Sequence, residues 1–159
     1  MRIGVVSDTH NHLANVRSLV ALFNAAGVER VVHTGDITQA KTLDVLAGLA
    51  APLYGVFGNN DLERPSLDEA MARHGFHFAE GPLQLTWAGR EIVVVHDPRE
   101  LDALPPVAVA LHGHTHRRVE ERRGERLIFN PGECAGHLPG HNTVGVVDLA
   151  TLGVELLNF

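Results

Sequence analysis

The chain of 159 residues is 45% hydrophobic and 20% charged, a composition that excludes a disordered, collagen-like or disulfide-stapled protein. Its 13 basic and 19 acidic residues leave a formal net charge of −6, so nothing global attracts nucleic acid or an anionic membrane face, and any phosphate ligand has to be held locally. A single cysteine, Cys134, fits a reducing compartment and excludes sites built from several thiolates.

Arg2 to Ser7 is a short apolar run that reads as a strand, too short for the core of a signal peptide. Leu13, Val16, Leu19, Val20 and Phe23 then recur at helical spacing until Gly27. Arg30 to His33 repeats the strand signal, Leu43, Leu46, Ala47 and Ala50 form a second helical stripe, and Pro52 to Phe57 forms a third strand. This alternation predicts βαβ units with a parallel sheet covered by helices. Ser66-Leu67-Asp68-Glu69 has capping-box spacing and is expected to open a helix ending near Gly75. Beyond it, Leu83 to Trp87 and Glu91 to His96 read as a hairpin about Ala88-Gly89, Val107 to Leu111 as a strand, and two further hairpins turn at Arg123-Gly124 and near Leu152-Gly153. The pattern therefore passes from parallel units to mostly antiparallel hairpins. It predicts one α/β domain, residues 1–159, in which two sheets face each other with helices outside. No stretch approaches the ~18 apolar residues of a membrane helix, and a soluble, cytoplasmic protein is expected.

Histidine is unusually frequent, with 11 residues, and it is the commonest metal ligand. The polar residues cluster at predicted strand ends. The first strand runs into Asp8-Thr9-His10, the second into Gly35-Asp36 and the third into Gly58-Asn59-Asn60-Asp61, while later strands deliver His96 and Gly113-His114-Thr115-His116. Residues two apart in extended backbone point to one side, and the carboxyl ends of strands in such sheets share an edge. Asp8, His10, Asp36, Asn59, His96, His114 and His116 are therefore expected to meet. They offer oxygen and imidazole nitrogen but no sulfur, which suits Mn²⁺, Fe, Zn²⁺, Ni²⁺ or Co²⁺. Seven donors exceed what one tetrahedral ion uses. Two ions ~3.5–4 Å apart, bridged by a carboxylate, would employ all of them in the arrangement used for in-line attack at phosphorus.

The ordered set Asp8-x-His10, Gly35-Asp36, Gly58-Asn59-x-Asp61, His96 and Gly113-His114-x-His116 resembles the calcineurin-like metallophosphoesterases, and within them the small single-domain phosphodiesterases. The resemblance spans nearly the whole chain. It implies a four-layer α/β/β/α sandwich and two divalent metal ions, with Mn²⁺ the expected occupant. One ion would be held by Asp8, His10, Asp36 and His116 and the other by Asp36, Asn59, His96 and His114, with Asp36 as the bridge. The expected reaction is attack of a metal-bridging hydroxide on a small phosphate diester. A phosphomonoesterase with the same site and a non-catalytic interaction scaffold are the alternatives. Asn59 and Asn60 are expected to donate to a phosphate oxygen.

The chain departs from the family pattern in three places. Larger relatives carry Gly-Asn-His-Glu/Asp, whose histidine protonates the leaving group; here Asn60 stands in its place and cannot act as an acid. His33 or His12 is left to supply that proton, so Asp36, Asn59 and His33 are the expected catalytic residues, and Asn60 and His12 the expected substrate contacts. His96-Asp97-Pro98 replaces a common His-Gly-His, and Asn130-Pro131-Gly132 is followed by Glu133 where relatives usually have serine. His74, His77, His137 and His141 lie in predicted loops or at a helix end and read as solvated. The arginines from Arg117 to Arg126 interleave with Glu120, Glu121 and Glu125, which reads as a solvated hairpin face and not as a nucleic-acid surface. Cys134 has no evident base. Exposed sheet edges in so small a protein make a homodimer or homotetramer plausible.

Overall fold

The computed structural model describes residues 1–138 and 140–159. Strands β1 (Arg2–Val6), β2 (Arg30–His33), β3 (Leu53–Val56) and β4 (His77–Ala79) run parallel. Parallel neighbours need a crossover. Helices α1 (Leu13–Ala26), α2 (Ala40–Leu46) and α3 (Arg64–His74) supply one each.

A second mixed sheet is built from β5 (Leu83–Trp87), β6 (Arg90–Val94), β7 (Val109–Leu111), β8 (Val119–Arg123) and β9 (Arg126–Asn130). Its order is β5-β6-β7-β9-β8. The hairpin of β10 (Thr143–Asp148) and β11 (Gly153–Asn158) returns to the first sheet, whose order is β11-β10-β1-β2-β3-β4.

Alternation along each strand assigns the layers. Ile3, Val5, Val32 and Val56 face Ile92, Val94, Val109, Leu111, Leu127 and Phe129 between the sheets. Each such side chain contributes roughly 1.5–3 kcal/mol on burial. On the other face of the first sheet, Val6, Val31, Leu53, Val144 and Val146 pack with Val16, Leu19 and Phe23 of α1 and with Leu43, Leu46, Leu67 and Met71 of the other two helices. The outermost layer is slight: a 3₁₀ segment, Pro98–Ala103, lies over the second sheet, with Leu101, Leu104 and Val107 against Val93, Val95, Ala110 and Ile128. This is the α/β/β/α arrangement that the sequence resemblance implies, with its fourth layer reduced to one short segment.

Three sequence expectations need correction. The hairpins form, but β6-β7-β9 is a parallel trio, because crossover pairing between distant strands leaves no local pattern. His77 lies in an edge strand and stacks on Tyr54 with ring centroids 5.1 Å apart, so the loop reading of that residue fails. Helix α3 begins at Arg64 with Pro65 in its first turn, and Ser66 Oγ donates to the Glu63 carbonyl at 2.9 Å. Proline's preset backbone moved the N-cap from the expected Ser66 to Glu63, three residues earlier.

Candidate metal centre

The polar residues sit in loops that leave β1, β2, β3, β6 and β7 at one edge of the sandwich. Those loops are strained and mutually tied. Asp8, His10, Asp36, His114 and His116 all take positive φ, between 43° and 67°, a region that costs a non-glycine residue roughly 1–3 kcal/mol. Such strain persists where the surroundings over-determine it. Asp8 N–H donates to the Gly35 carbonyl at 3.1 Å, His10 N–H to the Asp36 carbonyl at 2.9 Å, and Gly113 N–H to the His96 carbonyl at 3.0 Å. Asp61 locks two of the loops together: its carboxylate accepts from the backbone N–H groups of Asp36, Ile37, Thr38 and Gly58 at 2.6–3.0 Å. Glycine is required at the closest approaches, since a Cβ on Gly58 would overlap the Asp36 carboxylate and one on Gly113 would overlap the Ser7 hydroxyl.

Asp8, His10, Asp36 and His116 bring ligand atoms within 4.8 Å of one another. Asp8 Oδ2 is hydrogen-bonded by the Ser7 hydroxyl and by His114 N–H, whereas Asp8 Oδ1 is buried without any hydrogen-bond partner. His10 Nε2 is likewise buried and unpartnered. His116 Nε2 lies 3.5 Å from Asp8 Oδ1, and His10 Nε2 lies 3.7 Å from Asp36 Oδ2.

A second group adjoins it through Asp36. His96 Nε2 lies 3.5 Å from Asp36 Oδ1 and 3.0 Å from Asn59 Oδ1. His114 Nδ1 lies 2.9 Å from Asn59 Oδ1 and 3.3 Å from His96 Nε2. Since His96 Nδ1 faces the Thr34 carbonyl at 2.8 Å, the neutral ring carries its proton there and aims a lone pair at Asn59 and Asp36. A lone pair of His96 Nε2 therefore confronts those of Asn59 Oδ1 and Asp36 Oδ1. A cation relieves that repulsion, and the donor chemistry suits a divalent metal.

The charges agree with this reading. Burial pushes the Asp8 carboxyl above its usual range, against the hydrogen bond from Ser7 and the nearby His116. Burial also opposes charge on Asp36, but hydrogen bonds from Asn60 and the proximity of His96 and His10 hold it below the usual range. Burial lowers His10 and so favours the neutral imidazole that a metal needs, although Asp36 and Asp8 pull the other way.

The expected roles of His33 and Asn60 change, and His12 and His137 take defined places. His33 is fully buried: Gly35 N–H donates to its Nδ1 at 3.1 Å and its Nε2 meets Thr9 Oγ1 at 3.0 Å. Burial drives it down to about 3, so it has neither the exposure nor the proton of a leaving-group acid. Asn60, expected to contact substrate, directs its backbone and side-chain N–H groups to the two Asp36 oxygens at 2.9 and 2.7 Å. His12, the other expected substrate contact, caps α1, its Nδ1 accepting from Asn15 N–H at 3.3 Å. His137 is exposed but stands at the site and not apart from it, its ring stacked on His116 with centroids 5.1 Å apart. Ser7, Asp61 and Glu133 were given no role from sequence. A carboxylate three residues after Gly58 in a tight turn was the available signal for Asp61.

Residues 1–152 match the family model of the calcineurin-like phosphoesterase superfamily domain. The chain belongs to this family. As a calcineurin-like phosphoesterase it is a metal-dependent hydrolase of phosphate esters. It is 32% identical over 154 residues to Phosphodiesterase MJ0936 of Methanocaldococcus jannaschii, across 93% of each chain. It is also 28% identical over 181 aligned positions to Phosphodiesterase YfcE of Escherichia coli K12, across 99% of this chain and 93% of the relative. The solved structure of an archaeal phosphodiesterase superposes on this phosphoesterase with a TM-score of 0.90, at 30% identity and over 100% of both chains. None of its described helices is long and apolar enough to cross a membrane.

Proposed function

We propose that this chain is a phosphodiesterase with two divalent cations, Asp8, His10, Asp36 and His116 holding one and Asp36, Asn59, His96 and His114 the other. The observation that carries this reading is the pair of buried, unpartnered atoms Asp8 Oδ1 and His10 Nε2, set beside Asp36 and His116 with their ligand atoms within 4.8 Å of one another. Asp36 suits the bridging role because Oδ1 faces His96 and Oδ2 faces His10. Bound cations would supply Lewis acidity at phosphorus and lower the pKa of water toward neutrality. Asn59 turns its Oδ1 to the histidines, which leaves its NH₂ group to donate to a phosphate oxygen as charge builds there.

Asn60 holds Asp36 in place, and with no histidine at that position the chain favours esters whose leaving group needs no proton. The reading treats residues 1–159 as one domain of a cytoplasmic enzyme, for which the buried free thiol of Cys134 is consistent, and takes Mn²⁺ as the preferred metal. Elemental analysis of the purified protein, coupled to hydrolysis of an aryl phosphodiester and the matching monoester with Mn²⁺, Ni²⁺, Zn²⁺ and Fe²⁺, tests it. The diester is expected to turn over faster. Asp36→Asn is expected to lower the rate roughly 10³-fold or more, about 4 kcal/mol of barrier, with the circular dichroism spectrum unchanged. Wild-type rates in Asp36→Asn with added metal would show the site to be misassigned.

A further inference from the structure

The loop after β9 carries Glu133, a carboxylate that is only 2% exposed. Its Oε2 lies 2.7 Å from His116 Nδ1, and its Oε1 accepts from Leu138 N–H at 2.9 Å. The loop shares the frame of the metal ligands: Cys134 N–H donates to the Asp8 carbonyl at 3.2 Å, and Thr143 N–H to the Glu133 carbonyl at 3.1 Å. His137 Nδ1, 3.3 Å from the same Oε2, completes a set of three around the carboxylate.

We propose that Glu133 is a positioning residue for the metal centre, holding His116 in the tautomer that keeps its proton on Nδ1 and turns the Nε2 lone pair toward Asp8 and the first cation. A neutral imidazole has one donor and one acceptor nitrogen, so whatever accepts from Nδ1–H determines what Nε2 offers. His96 has the same arrangement with the Thr34 carbonyl as acceptor. The two sides of the centre therefore differ: a main-chain carbonyl sets His96, and a buried anion sets His116. Hydrogen bonds to a carboxylate are stronger than neutral ones, and they raise the basicity of the ligating nitrogen. The inference rests on the dinuclear reading above.

The test is an NMR titration of the full chain with Zn²⁺ at about pH 8, following the ring nitrogens of His10, His96 and His116 in the wild type and in Glu133→Gln. Before metal is added, wild-type His116 is expected in the Nδ1–H tautomer, and Glu133→Gln is expected to lose that bias. On titration, the response at His10 should require roughly 10–100-fold more Zn²⁺ in the variant, with the response at His96 unchanged. If Glu133→Gln does not fold, Glu133→Asp, which retracts the charge by one methylene, is expected to weaken the His10 side alone. An unshifted His10 response, equal weakening on both sides, or loss of a separate ion bound only by His116, Glu133 and His137 would each overturn the role of Glu133 while leaving the dinuclear reading intact. A wild-type chain that binds no Zn²⁺ at all would overturn both.

Discussion

His33 illustrates how burial selects between chemical and structural use of one side chain type. It ends β2 three residues before Asp36, yet both ring nitrogens are engaged inside the protein and its protonation is pushed down to about 3. The unfolded chain takes up that proton near pH 6.5, while the folded chain resists until about 3. The unfolded state thus binds more protons between those values, and stability falls as pH falls through that window. His33→Gln is expected to flatten the decline by up to about 1.4 kcal/mol per pH unit, while lowering stability at pH 7 by roughly 1–3 kcal/mol through the altered buried hydrogen bonds. Urea unfolding at pH 7, 6, 5 and 4 measures both effects. Identical slopes in variant and wild type would remove His33 as the source of the pH dependence.

The loop that leaves β7 shows how strand ends build the centre. Gly113 lies where the two sheets converge, and a Cβ there would overlap Ser7 Oγ and come within 2.8 Å of Thr34 Oγ1 and 2.9 Å of Asp8 Oδ2. Gly113→Ala is therefore expected to cost roughly 1–3 kcal/mol by overpacking and to displace Asp8, weakening Zn²⁺ binding. Gly124→Ala, in the β8–β9 turn with nothing within 4 Å of the added carbon, is the comparison: it strains the backbone without touching the centre. Urea midpoints paired with Zn²⁺ titration separate the two. Equal metal affinity in the two variants would contradict this account. Among the elements, α1 and the parallel β1-β2-β3 unit were legible because each is a local pattern of adequate length. The pairing of β6, β7 and β9 was not, since the partners lie far apart in the chain and share no turn.

Two sheets joined by a continuous apolar layer hold the donor atoms in place before any cation arrives, at the expense of strained loops and buried unpaired acceptors. An ion that binds only the folded chain offsets that expense. At 100 times its Kd, each ion stabilises by about 2.7 kcal/mol, and a chain of this size gains roughly 2–4 °C in Tm per kcal/mol. Thermal unfolding with Mn²⁺ or Zn²⁺, against the same protein in excess EDTA, should therefore show a rise of roughly 5–10 °C for each ion bound. A Tm indifferent to both would mean that the acceptor cluster is tolerated without metal.

The kinds of donor, their order along the chain and the strand ends that present them were readable from residues alone, because side-chain chemistry and hydrophobic period are local properties. The family followed from the same residues. Which atom faces which could not be read in that way. That Asp36 turns one oxygen to His10 and the other to His96, that Asn60 binds Asp36, that His33 is sealed inside, and that Glu133 reaches His116 all depend on distances between segments up to about 60 residues apart. Close packing of the layer between the sheets sets those distances to a fraction of an ångström, and no local pattern along the chain encodes them.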